Sequence, residues 1–226
     1  MSSSTDFYLA LDIETSGQDM VRNFIVSIGA CVIDAEHVLQ HDKDEFLVYL
    51  TPPPGTCWEH NCVKNFWNSP KKAINGRTQF QQLQLAQEEH GVYEPRHALT
   101  LFLEFVKRMT QKYPNLIVLT DTAGFDVEWL DYTIQRYTHY PRKFDSLAYC
   151  TGEYRSIWNV TAFYRGIARM TPHDALSDAR NAEQCALEAL GEEAFPDFGV
   201  EHDHNPLHDA KLMGLRAAHI SKLLQG

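Results

Sequence analysis

Two carboxylates, Asp12 and Glu14, stand at the end of the stretch "FYLALDIETSG". Alternate side chains of a β-strand share a face, so both point the same way while Ile13 turns back into the core. Like charges so placed repel, and either a cation neutralises them or one of them takes up a proton. A hard divalent cation that prefers oxygen ligands, Mg²⁺ or Mn²⁺, meets that need. A strand ending in a solvated acidic turn meets it too, and the pair alone does not choose.

A third acidic group closes "TDTAGFD", residues 120–126. Ligands of α/β folds gather at strand ends and the helix starts beside them, so Asp126 is placed to face Asp12 and Glu14. A helix-capping aspartate fits the same position.

Histidine precedes aspartate by five residues twice, as His173 and Asp178 in "HDALSDA" and as His204 and Asp209 in "HNPLHDA". Capping chemistry separates the two. With Thr171 as N-cap and Pro172 as first helical residue, His173 falls inside a helix and diverges from Asp178 by about 140°. With Asn205 as N-cap and Pro206 as first helical residue, His204 lies in the loop, free to swing over a site, and Asp209 sits early in the helix. The second pair has the geometry of a mobile base and a fixed ligand, and its helix closes the fold. His202 and His208 flank it as loop or cap residues, or as partners behind the ligands. Elsewhere "CWEHNC" brings Cys57, His60 and Cys62 together, but no second ligand pair completes a structural zinc.

The elements that must position these groups follow from pattern. "FYLALDIE", "NFIVSIGACVID" and "DEFLVYL" are rich in β-branched and aromatic residues and predict an antiparallel meander, ended by "TPPPG". "CVKNFWNSPKKAI" fits a short helix with Val63, Phe66 and Trp67 on one side, and "TQFQQLQLAQEEHG" fits a helix or a surface loop. In "EPRHALTLFLEFVKRMTQKY" the stripe of Leu99, Phe102, Leu103 and Val106 predicts a helix stopped by Pro114. "NLIVLTD" is a short buried-type strand and "DVEWLDYTIQRY" a helix after it, with Trp129 on the inward side. Helix, buried strand and helix imply helices layered on a sheet. No repeat or linker divides the chain, which reads as one α/β domain over 1–226.

"LDIETSG", then "SIGACVID", "TDTAGFD" and a His five residues before an Asp resemble, in this order, the DEDD-type 3′-to-5′ exonucleases of the RNase T-like superfamily, in its His-containing branch. The resemblance covers nearly the whole chain. By motif wording "HDALSDA" is similar to bacterial members and "HNPLHDA" to viral and phage ones. The resemblance implies an RNase H-like mixed sheet, a three-strand antiparallel meander plus parallel strands, flanked by helices. It also implies two Mg²⁺ or Mn²⁺ ions held by Asp12, Glu14, Asp126 and Asp209, with His204 as general base. The chain departs from the pattern at "DTAG", where many members carry an Asn. Two cations about 4 Å apart suit an in-line phosphodiester displacement, which also needs a base active near neutral pH. The expected activity is 3′-to-5′ hydrolysis at the single-stranded 3′ end of RNA or DNA.

A terminal nucleotide needs contacts besides metal. Phe66 and Trp67, with Lys64, Lys71 and Lys72 beside them, are candidates for an aromatic platform, and burial against the sheet is the alternative. Thr15, Ser16 and Gly17 leave room for the backbone to approach the substrate. Arg155 reads as a phosphate contact or a solvated arginine.

Composition sets limits. The 226 residues are 44% hydrophobic, enough for a sizeable core. A formal net charge of −10 excludes broad attraction to nucleic acid through Lys and Arg, but not a carboxylate site that becomes attractive to phosphate once loaded with cations. No apolar run approaches the roughly 20 residues of a membrane helix. The opening "MSSSTD" lacks a signal peptide's features and five cysteines have no framework spacing, so a cytoplasmic, intracellular protein is expected. The sequence leaves oligomeric state open, with a homodimer among the expectations. Two other readings stand beside the nuclease. One is an all-helical HD-type phosphohydrolase, from the dipeptides His41-Asp42, His173-Asp174, His202-Asp203 and His208-Asp209. The other is a catalytically inactive nucleic-acid-binding module.

Overall fold

The computed structural model describes residues 7–34, 44–113, 116–120, 123–138, 157–159, 196–200 and 202–223. Its centre is β1 (Phe7–Thr15), which pairs antiparallel with β2 (Ile25–Asp34) on one side and parallel with β4 (Leu116–Thr120) on the other. β3 (Glu45–Tyr49) extends the antiparallel side and β5 (Ile157–Asn159) the parallel side, giving the order β3-β2-β1-β4-β5. This is the mixed sheet expected, a meander plus parallel strands. It is incompatible with the all-helical bundle of an HD-type enzyme. β5, three residues long, is too short to leave a period in the sequence.

Helices cover both faces. On one, α3 (Pro95–Lys112) buries the predicted stripe of Leu99, Phe102, Leu103 and Val106 in one cluster with Leu9, Leu11 and Ile13. Trp129, Leu130 and Ile134 of α4 (Ala123–Tyr137) join that cluster. Each such buried side chain contributes roughly 1.5–3 kcal/mol. On the other face α5 (Pro206–Leu223) packs Ala210, Leu215 and Ala218 against Tyr8, Ala10 and Ile33. Among the described residues no helix is long and apolar enough to cross a membrane.

The segment after "TPPPG" differs from the simple helix expected. A helical turn, α1 (His60–Cys62), widens into a π-turn over Val63–Trp67, and a 3₁₀ turn follows at Pro70–Lys72. A π-turn spaces side chains differently from a 3.6-residue helix, and of the expected three Trp67 is buried while Val63 and Phe66 are partly exposed. The Gln-rich stretch is a helix, α2 (Gln79–His90). A capping box starts it: Thr78 Oγ1 accepts the Gln81 N–H and Gln81 Oε1 accepts the Thr78 N–H.

Candidate metal centre

β1 delivers Asp12 and Glu14 to the face covered by α5, because that face also carries Tyr8 and Ala10. Across the strand pair, Asp12 lies opposite Gly29 and Glu14 opposite Ser27. A Cβ at Gly29 would run into the backbone of Pro206 and Leu207. The missing side chain therefore seats the start of α5 on the sheet, one turn from Asp209. The helix begins at Pro206, as its capping pattern predicts: Asn205 Oδ1 accepts the Leu207 N–H at 3.0 Å, and the Asn205 carbonyl accepts the Asp209 N–H at 2.9 Å.

Two anchors fix this entrance. Asp203 Oδ1 accepts the Asn205 N–H at 3.0 Å, and Asp203 Oδ2 lies 2.9 Å from His208 Nδ1. The bond to Asp203 holds His208 above the usual histidine range, and in return it keeps Asp203 below the carboxylate range although burial pulls the other way. Between these anchors His204 takes a left-handed backbone, φ 58°, uncommon outside glycine.

Asp12, Glu14 and Asp209 bring carboxylate oxygens within 4.8 Å of one another. His204 Nδ1 stands 3.8 Å from Glu14 Oε1 and 3.9 Å from Asp209 Oδ2. The expected free swing of His204 is not what the structure has. Its side chain is only 14% exposed, packed edge-on between Phe66, centroids 4.9 Å apart, and His202, 4.6 Å apart.

The electrostatics of the group favour a bound cation. Burial, then the charges of Asp209 and Asp126, raise Glu14 well above the carboxylate range. Burial pushes Asp209 up to about 6. Burial, helped by His202 and Lys72, pushes His204 down to about 4, leaving a neutral imidazole near neutral pH. Asp209 Oδ1 is buried and has no hydrogen-bond partner among the described residues. An all-oxygen donor set with an orphaned buried oxygen fits a hard divalent cation.

Asp126 is not part of the trio whose oxygens lie within 4.8 Å of one another. α4 starts at Ala123, so Asp126 falls in its first turn, buried, with its carboxylate accepting the Thr120 hydroxyl. Its charge still reaches Glu14.

Most of the expected substrate contacts are engaged within the protein. Trp67 is 3% exposed and its Nε1 donates to the Thr15 carbonyl at 3.1 Å, so it braces the turn after β1 from behind. Thr15 and Ser16 are likewise committed. Thr15 Oγ1 donates to the Gly17 carbonyl, while Ser16 Oγ donates to the Cys57 carbonyl and accepts the Phe24 N–H. At Gly17 a Cβ would meet Asn23 Oδ1 and Glu59 Cβ at 2.5 Å, so packing within the protein, rather than room for a nucleotide, demands glycine. Phe66 remains at the rim beside His204, half-buried. Among the described residues Cys57, His60 and Cys62 do not converge on a metal position. His173, Asp178 and Arg155 lie outside the described residues.

Sequence reasoning missed the cleft behind His204. It holds about 70 Å³ and is lined by Ser27, Tyr49, Gln79, Gln82 and Asn205, room for a few waters rather than a nucleotide. Its polar lining is gathered from β2, β3, α2 and the loop before α5, segments far apart in the chain.

No protein-family model and no curated protein matches the sequence. Solved structures do match in shape. The nuclease domain of 3'hExo, a DEDDh family member solved bound to rAMP, aligns with a TM-score of 0.59 at 17% identity, over 100% of this chain and 94% of that one. Exonuclease I of E. coli, in complex with a dA16 oligonucleotide, aligns with a TM-score of 0.62 at 13% identity. That match covers 96% of this chain but 41% of that one, so the chain spans about two fifths of exonuclease I. Cell-death related nuclease 4 aligns with a TM-score of 0.56 at 14% identity, over 97% and 65%. At these identities the likeness establishes the fold: the chain has the RNase H-like architecture found in DEDDh nuclease domains.

Proposed function

We propose that the chain, as one domain over 1–226, is a metal-dependent 3′-to-5′ exonuclease acting on the single-stranded 3′ end of RNA or DNA. The observation that carries this reading is the convergence of Asp12, Glu14 and Asp209 beside a neutral His204, on a fold shared with nuclease domains.

Asp12, Glu14 and Asp209 would hold Mg²⁺ or Mn²⁺, two ions in all, with Asp126 supplying a fourth negative charge next to Glu14. When bound, such ions neutralise phosphodiester charge and acidify an attacking water. His204 receives the proton of that water. Its neutral imidazole suits the task, and its packing against Phe66 fixes the ring's plane. Lys72, exposed on the 3₁₀ turn and close enough to influence both Glu14 and His204, is placed to meet a substrate phosphate. Phe66 at the rim is the remaining candidate for stacking on the terminal base. No comparison supports the homodimer named among the expectations, and it is not proposed.

The test is release of mononucleotides from 3′-labelled single-stranded RNA, single-stranded DNA and duplex, with Mn²⁺ or Mg²⁺. Release from the single strands, abolished by chelator, is the expected result. Binding without release would make the chain a non-catalytic module.

A further inference from the structure

A second group of donors shares Asp209 but differs in chemistry. His202, His204 and Asp209 bring ligand atoms within 4.8 Å of one another. His202 Nε2 lies 3.5 Å from Asp209 Oδ2, His204 Nδ1 lies 3.9 Å from the same oxygen, and the two rings meet edge-to-face at 4.6 Å. Ligands of a tetrahedral zinc stand about 3.3 Å apart, given bonds of about 2.0–2.1 Å. Closing these distances onto one ion therefore needs only small rotations.

We propose that His202, His204 and Asp209 form a second cation site for a borderline-soft divalent ion such as Zn²⁺, and that filling it shuts off the oxygen-lined centre. Two imidazoles and one carboxylate are a zinc-type donor set, with a fourth position left for water. Asp12, Glu14 and Asp209 offer only oxygen and suit Mg²⁺ or Mn²⁺, so ligand softness sorts the ions between the two groups.

Three features point to a ligand. Asp209 is nine-tenths buried, at 10% exposure, yet its Oδ1 has no hydrogen-bond partner among the described residues. His204 is delivered to the group by its left-handed backbone, between residues anchored through Asp203. His202 is 59% exposed, which gives an ion its way in. Because Asp209 belongs to both groups and His204 is the proposed base, an ion on the histidines removes one carboxylate and the proton acceptor together. The inhibitory half of this inference rests on the nuclease reading, and the binding half does not.

The experiment titrates the metal-free protein with Co²⁺, read by the visible absorption of tetrahedral Co²⁺, then displaces it with Zn²⁺. Calorimetry with Mn²⁺ runs in parallel. His202→Ala, at an exposed position, should weaken Zn²⁺ binding by about tenfold or more, the scale on which even outer partners of metal ligands count, and leave Mn²⁺ binding unchanged. Asp12→Asn should do the reverse. In nucleotide release with saturating Mg²⁺, Zn²⁺ should inhibit the wild type at concentrations that leave His202→Ala active. Equal Zn²⁺ affinity in His202→Ala and wild type, or loss of Zn²⁺ binding in Asp12→Asn, would overturn the site. Zn²⁺ bound through His202 without inhibition of a working enzyme would overturn the shut-off. Absence of any nuclease activity would count against the proposed function, while the Co²⁺ and Zn²⁺ titrations would still decide the site.

Discussion

His204 and Glu14 face each other at 3.8 Å, Nδ1 to Oε1. One sits in a loop near the end of the chain and the other at the end of its first strand. The contact exists because α5 lies across β1 and β2, and it puts a neutral imidazole beside a carboxyl whose charge burial disfavours.

Replacing the base should separate chemistry from structure. His204→Ala is expected to lower nucleotide release by roughly 10²-fold or more, the scale of a lost general base, with Mn²⁺ affinity much less affected. His173→Ala should be nearly silent. Steady-state kinetics of both variants checks this, and swapped phenotypes would move the role to "HDALSDA".

Asp12→Asn should abolish turnover while the fold survives, since the substitution keeps the size and shape of the side chain and removes only its charge. Circular dichroism should be unchanged and calorimetry should find Mn²⁺ binding lost. Asp126→Asn should be milder toward Mn²⁺, because Asp126 accepts the Thr120 hydroxyl and acts on Glu14 through its charge. Equal Mn²⁺ losses in the two variants would place Asp126 among the direct ligands.

The stability of the metal-free protein should report the strain of collected charge. Asp209 is raised from 3.8 to about 6 in the fold, so it favours the folded state at pH below about 4 and loses that contribution as pH rises through 6. His204 is lowered from 6.5 to about 4, and its contribution runs the other way: present above 6.5 and lost as pH falls through 4. In the wild type the two oppose each other between pH 4 and 6.5. Asp209→Asn removes one of them, so its stability should rise with pH across that window. At pH 7 to 8 the variant should exceed the metal-free wild type by about 3 kcal/mol, at about 1.4 kcal/mol per pKa unit. Urea melts at pH 4, 5.5 and 7.5 with chelator present would reveal the trend, and a variant less stable than wild type at pH 7.5 contradicts it.

Gly29→Ala tests the seat of α5. A methyl there meets the backbone of Pro206 and Leu207, which cannot rotate away as a side chain could. Overpacking of this kind costs about 1–3 kcal/mol, and Mn²⁺ affinity should fall with it because Asp209 is carried on the displaced helix. Unaltered melting and metal binding would mean that the helix is not seated through Gly29.

The sequence carried β1 to β4 because these strands are apolar runs with few interruptions, and it carried α3 because four apolar residues keep one helical face. The start of α5 was readable for a chemical reason: an Asn before a Pro satisfies and tolerates the free N–H groups of a first turn. Contacts made at long range were not readable. Nothing local in "DIETSG" says that Ser16 will bind the carbonyl of Cys57, or that Trp67 will reach the carbonyl of Thr15. Two adjacent aromatics after a proline-rich turn look the same whether they meet a base or a backbone. A π-turn spans Val63–Trp67, and no periodicity announces such a turn.

The placement of Asp209 on α5 makes the carboxylate trio a product of tertiary structure. β1 brings two of its members and α5 the third, so the trio assembles only when α5 docks over Gly29. A partly folded chain with that helix undocked would present Asp12 and Glu14 as a lone pair.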